Sequence, residues 1–273
     1  MFSIDLTCTL DTKDTTIADL WELGSTGIVE LTDTALRAFF DDDALRPELE
    51  ARYHGHAEPA DLRDWVAFAH EFLKPMEIGC RIFVCPEWRD DPTPPGRIRI
   101  TVNAGLAFGT GAHETTRLCL EAIERNLGDA ASEASVTLFD VGTGSGILAE
   151  AAARLGAGKV YATDNDPEAV AVAKENFEKA GVAVELSGDP IESYPSHFAD
   201  IVVANISPAW ISDLAAEWRR VLKPGGRAIL SGFEAADVPR VRAALEQAGL
   251  RIDGEYAANE WRMLEAIPNL KKR

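Results

Sequence analysis

Residues Leu138–Asp164 read LFDVGTGSGILAEAAARLGAGKVYATD. Leu138, Phe139 and Val141 are strand formers, and three glycines follow at 142, 144 and 146. Glycine lets a backbone turn sharply and approach a ligand closely. Ile147 to Leu155 is rich in Ala and Leu and reads as a helix. Lys159 to Thr163 returns to strand, with Asp164 at its carboxyl end. In a strand–helix–strand unit of parallel type, that is the edge where ligands bind.

The glycine spacing separates two chemistries. Dinucleotide binders use Gly-x-Gly-x-x-Gly, which seats a pyrophosphate on the helix N-terminus. Here the spacing is Gly-x-Gly-x-Gly, and Asp140 precedes it. A carboxylate at that point sits badly beside a pyrophosphate. It suits a cationic ligand, such as the amino-acid end of S-adenosylmethionine. Asp164 then accepts from ribose hydroxyls.

Outward from this stretch, the chain of 273 residues allows one large or two modest domains. Its 27 Lys+Arg against 45 Asp+Glu give a formal charge of −18, which repels nucleic-acid phosphates and favours a basic partner. The 46% hydrophobic content supports a packed core. Cys8, Cys80, Cys85 and Cys119 lack metal-site spacing, and no metal is expected. No secretory segment or apolar run of about 18 residues is present. The expectation is a cytoplasmic protein with reduced thiols and no membrane contact.

Residues 1–57 read as a small separate α+β unit. Strand-like Ile4–Leu10, helical Thr15–Leu23, strand-like Gly27–Leu31 and Ala35–Phe40, and a charged helix over Asp41–Tyr53 fit a ferredoxin-like module. His54 and His56 fall in a polar turn. Residues 58–75 predict a linking helix, with Trp65, Phe68, Ala69 and Phe72 on one face and Pro75 as its stop. The remaining 76–273 form the larger domain. Ile78–Pro86 and Arg97–Val102 read as strands around a proline-rich turn. In NAGLAFGTGAHETTR, residues 103–117, a glycine-punctuated loop carries Phe108 and His113 ahead of a helix over Glu114–Leu127. Thr115 and Thr116 place hydroxyls on its first turn. This loop reads as a lid or wall over a cofactor pocket, or simply as a capped helix.

After the central stretch, strands are expected at Val182–Leu186, Asp200–Ala204 and Arg227–Ser231. Helices are expected at Pro167–Ala180, Asp213–Leu222 and Val238–Ala248, with a sharp turn at Lys223–Gly226. Asn205 closes the apolar IVVA strand at the ligand edge. Leu250–Tyr256 and Trp261–Ile267 end the chain as an antiparallel pair. The alternation argues for a doubly wound, mostly parallel sheet. A terminal hairpin is foreign to dehydrogenases and typical of class I methyltransferases, whose seven-stranded Rossmann-like sheet has an antiparallel last strand.

Together GLAFGTGAHETTRLCLE, FDVGTGSGILAEAAARLGAGKVYATDNDPEAV, DIVVANISP, LKPGG and EWRMLEAI resemble the bacterial PrmA family, from about Trp65 to Ile267. Its members methylate amino groups of protein eleven of the large ribosomal subunit. The resemblance implies S-adenosylmethionine contacts at Thr116, Gly142, Asp164 and Asn205. Asp140 and Gly144 belong to the same turn, and Phe108 and His113 to a loop that closes over the cofactor. It further implies that Asn205 orients the incoming amine and that the N-terminal unit recognises a basic ribosomal protein, with no direct nucleic-acid contact. Three residues, at two places, depart from the family pattern. Glu114 stands where proline is usual, and Ser207-Pro208 follows Asn205-Ile206 where Leu-Ala is common. The N-terminal region also looks short for the family.

A neutral amine is the required nucleophile, whereas lysine in water has a pKa of about 10.4. Burial favours the neutral form without a dedicated base. Other readings stay open: a methyltransferase of another protein or a small amine, an adenine-amine methyltransferase, or a non-catalytic nucleoside-binding interaction protein.

Overall fold

The structure, a computed structural model, describes residues 1–10, 12–32, 34–60, 74–102, 113–128 and 135–269. They fall into two compact units, divided between residues 60 and 74.

The first unit runs β1 (Phe2–Thr7), α1 (Lys13–Glu22), β2 (Gly27–Thr32), β3 (Ala35–Phe40), α2 (Arg46–Tyr53) and β4 (His56–Pro59). The strands form one antiparallel sheet in the order β2-β3-β1-β4. Alternate residues Phe2, Ile4 and Leu6 of β1 point into a core with Leu20, Leu36, Phe40 and Leu49. Pro47 lies in the first turn of α2, where its missing N–H costs nothing. The expected polar turn after Tyr53 is confined to His54 and Gly55, and His56 already belongs to a strand. His54 takes a left-handed conformation to end α2, and His56 pairs with Asp5 of β1.

The second unit opens with a three-stranded sheet of β5 (Met76–Ile78), β6 (Ile82–Pro86) and β7 (Ile98–Val102). The single strand expected over Ile78–Pro86 is two. They are separated by a turn at Gly79–Arg81, whose Cys80 and Arg81 backbone N–H groups donate to the Glu124 carboxylate at 2.8 and 3.1 Å. Helix α3 (Glu114–Leu127) follows.

The central sheet then assembles from β8 (Thr137–Val141), β9 (Lys159–Thr163), β10 (Glu185–Ser187), β11 (Ala199–Asn205), β12 (Leu222–Glu234), β13 (Leu250–Ala258) and β14 (Trp261–Pro268). Its order is β10-β9-β8-β11-β12-β14-β13; the first five strands are parallel and β14 is antiparallel to both its neighbours. This is the expected class I methyltransferase sheet. One face is covered by α3, α4 (Ile147–Leu155) and α5 (Pro167–Ala180). The other is covered by α6 (Pro208–Asp213), α7 (Ala215–Val221) and α8 (Val238–Gln247). Doubly buried β11 carries no exposed residue, which explains its unbroken apolar run.

Two local expectations are corrected. The helix expected over Asp213–Leu222 is divided between α6 and α7 at Leu214. The Lys223–Gly226 turn lies inside β12: the register jumps from Ala199 opposite Leu222 to Ile201 opposite Arg227.

Helix α3 is held by the terminal hairpin at both ends. At its start, Asn259 Nδ2 donates to Glu114 Oε1 at 3.1 Å and the His113 ring meets Trp261 edge-on at 4.6 Å. At its end, Arg125 pairs with Glu265 at 2.6 Å and lies over the Tyr256 ring at 4.3 Å.

Candidate active site at the carboxyl edge of the sheet

The strand order reverses between β8 and β11, which opens a crevice beyond their carboxyl ends. Register sets what lines it. Val141 lies opposite Thr163, and Val203 opposite Asp140. One step past the first pair brings Gly142 level with Asp164. Two steps past the second bring Asn205 level with Gly142. Three sequence-predicted residues, from three strands, thus share one edge.

Asp140 is fully buried beneath this row. Its Oδ2 accepts from the Thr143 hydroxyl at 2.7 Å, and its Oδ1 has no hydrogen-bond partner among the described residues. Burial pushes its carboxyl up to about 7; the Asp164 charge adds to the rise, and the Thr143 hydroxyl and Ala149 amide oppose it. A buried oxygen left unanswered costs free energy, and a cationic group arriving at the edge would answer it.

Gly142 turns with φ +74°, and a Cβ there would collide with the Ile206 side chain. The Gly144 N–H donates to Asp164 Oδ2 at 2.9 Å, and the Asp166 N–H donates to Oδ1 at 3.1 Å. These bonds fix the Asp164 carboxylate beside the glycine turn and leave lone pairs on both oxygens for further donors.

Thr116 comes from the first turn of α3 and is buried. Its Oγ accepts from Asn205 Nδ2 at 3.3 Å. The Asn205 Oδ1 is buried with no hydrogen-bond partner among the described residues. The amide is held by its nitrogen and offers its oxygen. His113 has a different part. Its Nδ1 accepts from the Thr115 N–H at 3.3 Å and lies 2.7 Å from the Thr115 hydroxyl, so the ring caps α3. Phe108 lies outside the described residues.

One residue that positions the site went unread in the sequence. Gly232 has φ +101°, and a Cβ there would overlap the Ile206 backbone, including its carbonyl. The strand register slips between Ser231 and Phe233 at this point. The Ile206 N–H donates to the Ser231 carbonyl at 3.1 Å. Gly142 and Gly232 therefore leave room for Ile206 from two sides, and this seats the turn that carries Asn205. An isolated glycine in a strand is the signal for such an approach.

The ribosomal protein L11 methyltransferase (PrmA) family model matches residues 11–268. The chain belongs to the PrmA family. The match reaches well before Trp65 and takes in most of the first unit. Ribosomal protein L11 methyltransferase of Pelobacter propionicus is 34% identical over 300 residues, covering 95% of this chain and 97% of its own. That of Deinococcus radiodurans is 32% identical, covering 94% and 95%. The similarity to both relatives extends over nearly their whole length, so it takes in the N-terminal region expected to be short. The crystal structure of ribosomal protein L11 methylase from Lactobacillus delbrueckii subsp. bulgaricus superposes with a TM-score of 0.66 at 32% identity. It covers 72% of this chain and 100% of its own. In this PrmA chain the two departures noted in sequence have structural settings. Glu114 takes up the bond to Asn259. Ser207-Pro208 begins α6, with Pro208 as its first residue.

Proposed function

We propose that this chain transfers methyl groups from S-adenosylmethionine to lysine amino groups of ribosomal protein L11. The observation that carries the reading is a pair of buried, unanswered acceptors on adjacent strand ends, Asp140 Oδ1 and Asn205 Oδ1. The residues present suit a donor with an ammonium at one end and a ribose at the other. Asp140 is the acceptor for the ammonium, reached past Gly142 and Gly144. Asp164 is the acceptor for the ribose hydroxyls. When bound, the donor supplies an activated methyl group on a positively charged sulfur.

Asn205 acts on the other reactant. Thr116 holds its Nδ2, so Oδ1 accepts from an N–H of the incoming amine and aims the nitrogen lone pair at the methyl carbon. The enzyme's share is orientation and exclusion of water. The edge is apolar around Ile206 and favours the neutral amine. Water takes the proton released, and no general base is assigned. Cys119 is no rival nucleophile: it is buried in α3, and burial pushes its thiol pKa up, with the Asp140 charge adding to the rise.

The unit of residues 1–60 is assigned to recognition of L11, a basic protein matched to the chain's charge of −18. Direct nucleic-acid contact is not part of the proposal, and the setting is the cytoplasm. No helix of the described residues is long and apolar enough to cross a membrane. The expected helix over 58–75 lies largely outside the described residues.

The test is Asn205→Ala. Turnover on L11 should fall at least about 100-fold while donor affinity changes by less than about fivefold. Mass spectrometry should place the methyl groups on lysine side chains in the parent reaction. Unchanged turnover would remove Asn205 from this role, and methyl groups on other atoms would overturn the lysine assignment.

A further inference from the structure

Among the described residues, three large hydrophobic side chains stand exposed: Leu10, Trp21 and Trp210. Only Trp210 belongs to the second unit. An isolated exposed apolar residue is ordinary on a protein surface. The position of Trp210 is what gives it meaning.

Trp210 sits in α6, the short helix that opens where β11 ends. Three residues lead from Asn205 to Pro208, and two helical steps of about 1.5 Å lead on to Trp210. Five residues of chain, at no more than about 3.6 Å each, keep its Cα within roughly 18 Å of Asn205. The packing of α6 is done by another residue. Ile211 is fully buried in the core on that side of the sheet, and its carbonyl accepts from the Trp218 indole N–H at 2.9 Å. Trp210 is 55% exposed. Asp213, three residues on, shares its face of the helix and is also exposed. Ser207 and Ala209 are exposed as well. The outer surface of α6 therefore presents an indole and a carboxylate side by side, next to the methyl-transfer edge.

Resting on the function proposed above, we infer that Trp210 and Asp213 form the docking surface for the segment of L11 that carries the acceptor lysine. The indole face stacks on that segment and attracts its cationic side chains. Asp213 supplies an opposite charge beside it, in keeping with the acidity of the whole chain. The contact lies outside the reacting atoms, in the helix that begins at the Ser207-Pro208 departure. It sets how the substrate is held, not how the methyl group moves.

Steady-state kinetics with L11 as the varied substrate test the assignment. Trp210→Ala should raise KM about tenfold, with kcat, donor affinity and melting temperature nearly unchanged. Trp210→Phe should restore KM to within about threefold of the parent. Asp213→Asn should raise KM about threefold at low salt, with the difference fading as ionic strength rises. An unchanged KM in Trp210→Ala overturns the inference while the proposed function stands. So does a loss of donor affinity and melting temperature together with KM, which marks a structural role. Failure of the parent chain to methylate L11 overturns the proposed function itself, and this docking surface with it.

Discussion

Two buried carboxylates in the same sheet have opposite surroundings. Glu265 in β14 is 3% exposed and fully answered. Its Oε1 accepts from Arg125 at 2.6 Å and Asn126 at 3.2 Å, and its Oε2 accepts from Arg227 at 2.8 Å. Asp140 in β8 is as deeply buried, yet it has one hydroxyl within hydrogen-bond distance and one oxygen unanswered. Burying a charge is costly unless it is paired. Glu265 meets that cost with the protein's own cations and so belongs to the scaffold. Asp140 leaves it partly unmet, as a site completed by a ligand does. The difference teaches where to look for chemistry in a fold of this kind: at the buried acid whose partners are incomplete.

The contrast can be broken first at Glu265. Glu265→Gln should cost roughly 3 kcal/mol in denaturant unfolding, because two arginines lose their common anion. Donor affinity should be unchanged in the folded variant. A variant with weaker donor binding and full stability would reverse the assignment of the two acids.

Asp140→Asn should do the opposite, weakening donor binding at least tenfold by calorimetry. Its pH dependence sharpens the point. The folded carboxyl has its pKa raised to about 7, so the folded state keeps a proton that the unfolded chain gives up near 4. Stability of the unliganded protein should therefore fall as pH rises from about 4 to 7, by on the order of 3 kcal/mol relative to Asp140→Asn. A cationic ligand needs the ionised form. Parent affinity should weaken about tenfold per pH unit below 7, with a proton released on binding. A flat difference between parent and variant would mean that Asp140 has no such role.

The smallest expected effect is at Gly232→Ala. The added methyl meets the Ile206 carbonyl at a φ that favours glycine. About 2 kcal/mol of stability and about tenfold in turnover should be lost, with donor affinity largely kept. Equal losses in donor affinity and turnover would show that Ile206 supports the glycine turn more than Asn205.

Much of this was legible in the chain because it is local. Asp140, the glycines and Asp164 lie within one strand–helix–strand unit, and Asn205 ends a run too apolar to be anything but a central strand. The unread features depend on partners far along the chain. Gly232 looks like a spacer until the strand register brings Ile206 over it. Glu265 sits in the EWRMLEAI stretch, and nothing nearby in sequence announces Arg125, Asn126 or Arg227. Strand β4 was hidden because it is short and only Ala57 of its four residues, His56 to Pro59, is buried; it pairs through the backbone with β1. His113 was legible in part: of the two readings its loop allowed, a lid or a capped helix, the ring shows the cap.

The grip of the terminal hairpin on α3 carries a consequence for how the protein comes into being. Glu114 and Asn259 are 145 residues apart, and Arg125 and Glu265 are 140 apart. Contacts of such long sequence separation form late, since the intervening chain must first be ordered. The helix that presents Thr116 to Asn205 therefore gains its final anchorage only when the last two strands arrive. During synthesis, the glycine turn and Asp164 emerge well before the hairpin that anchors α3. A nascent chain of this protein would acquire the half of the edge proposed to hold the donor before the half proposed to aim the acceptor.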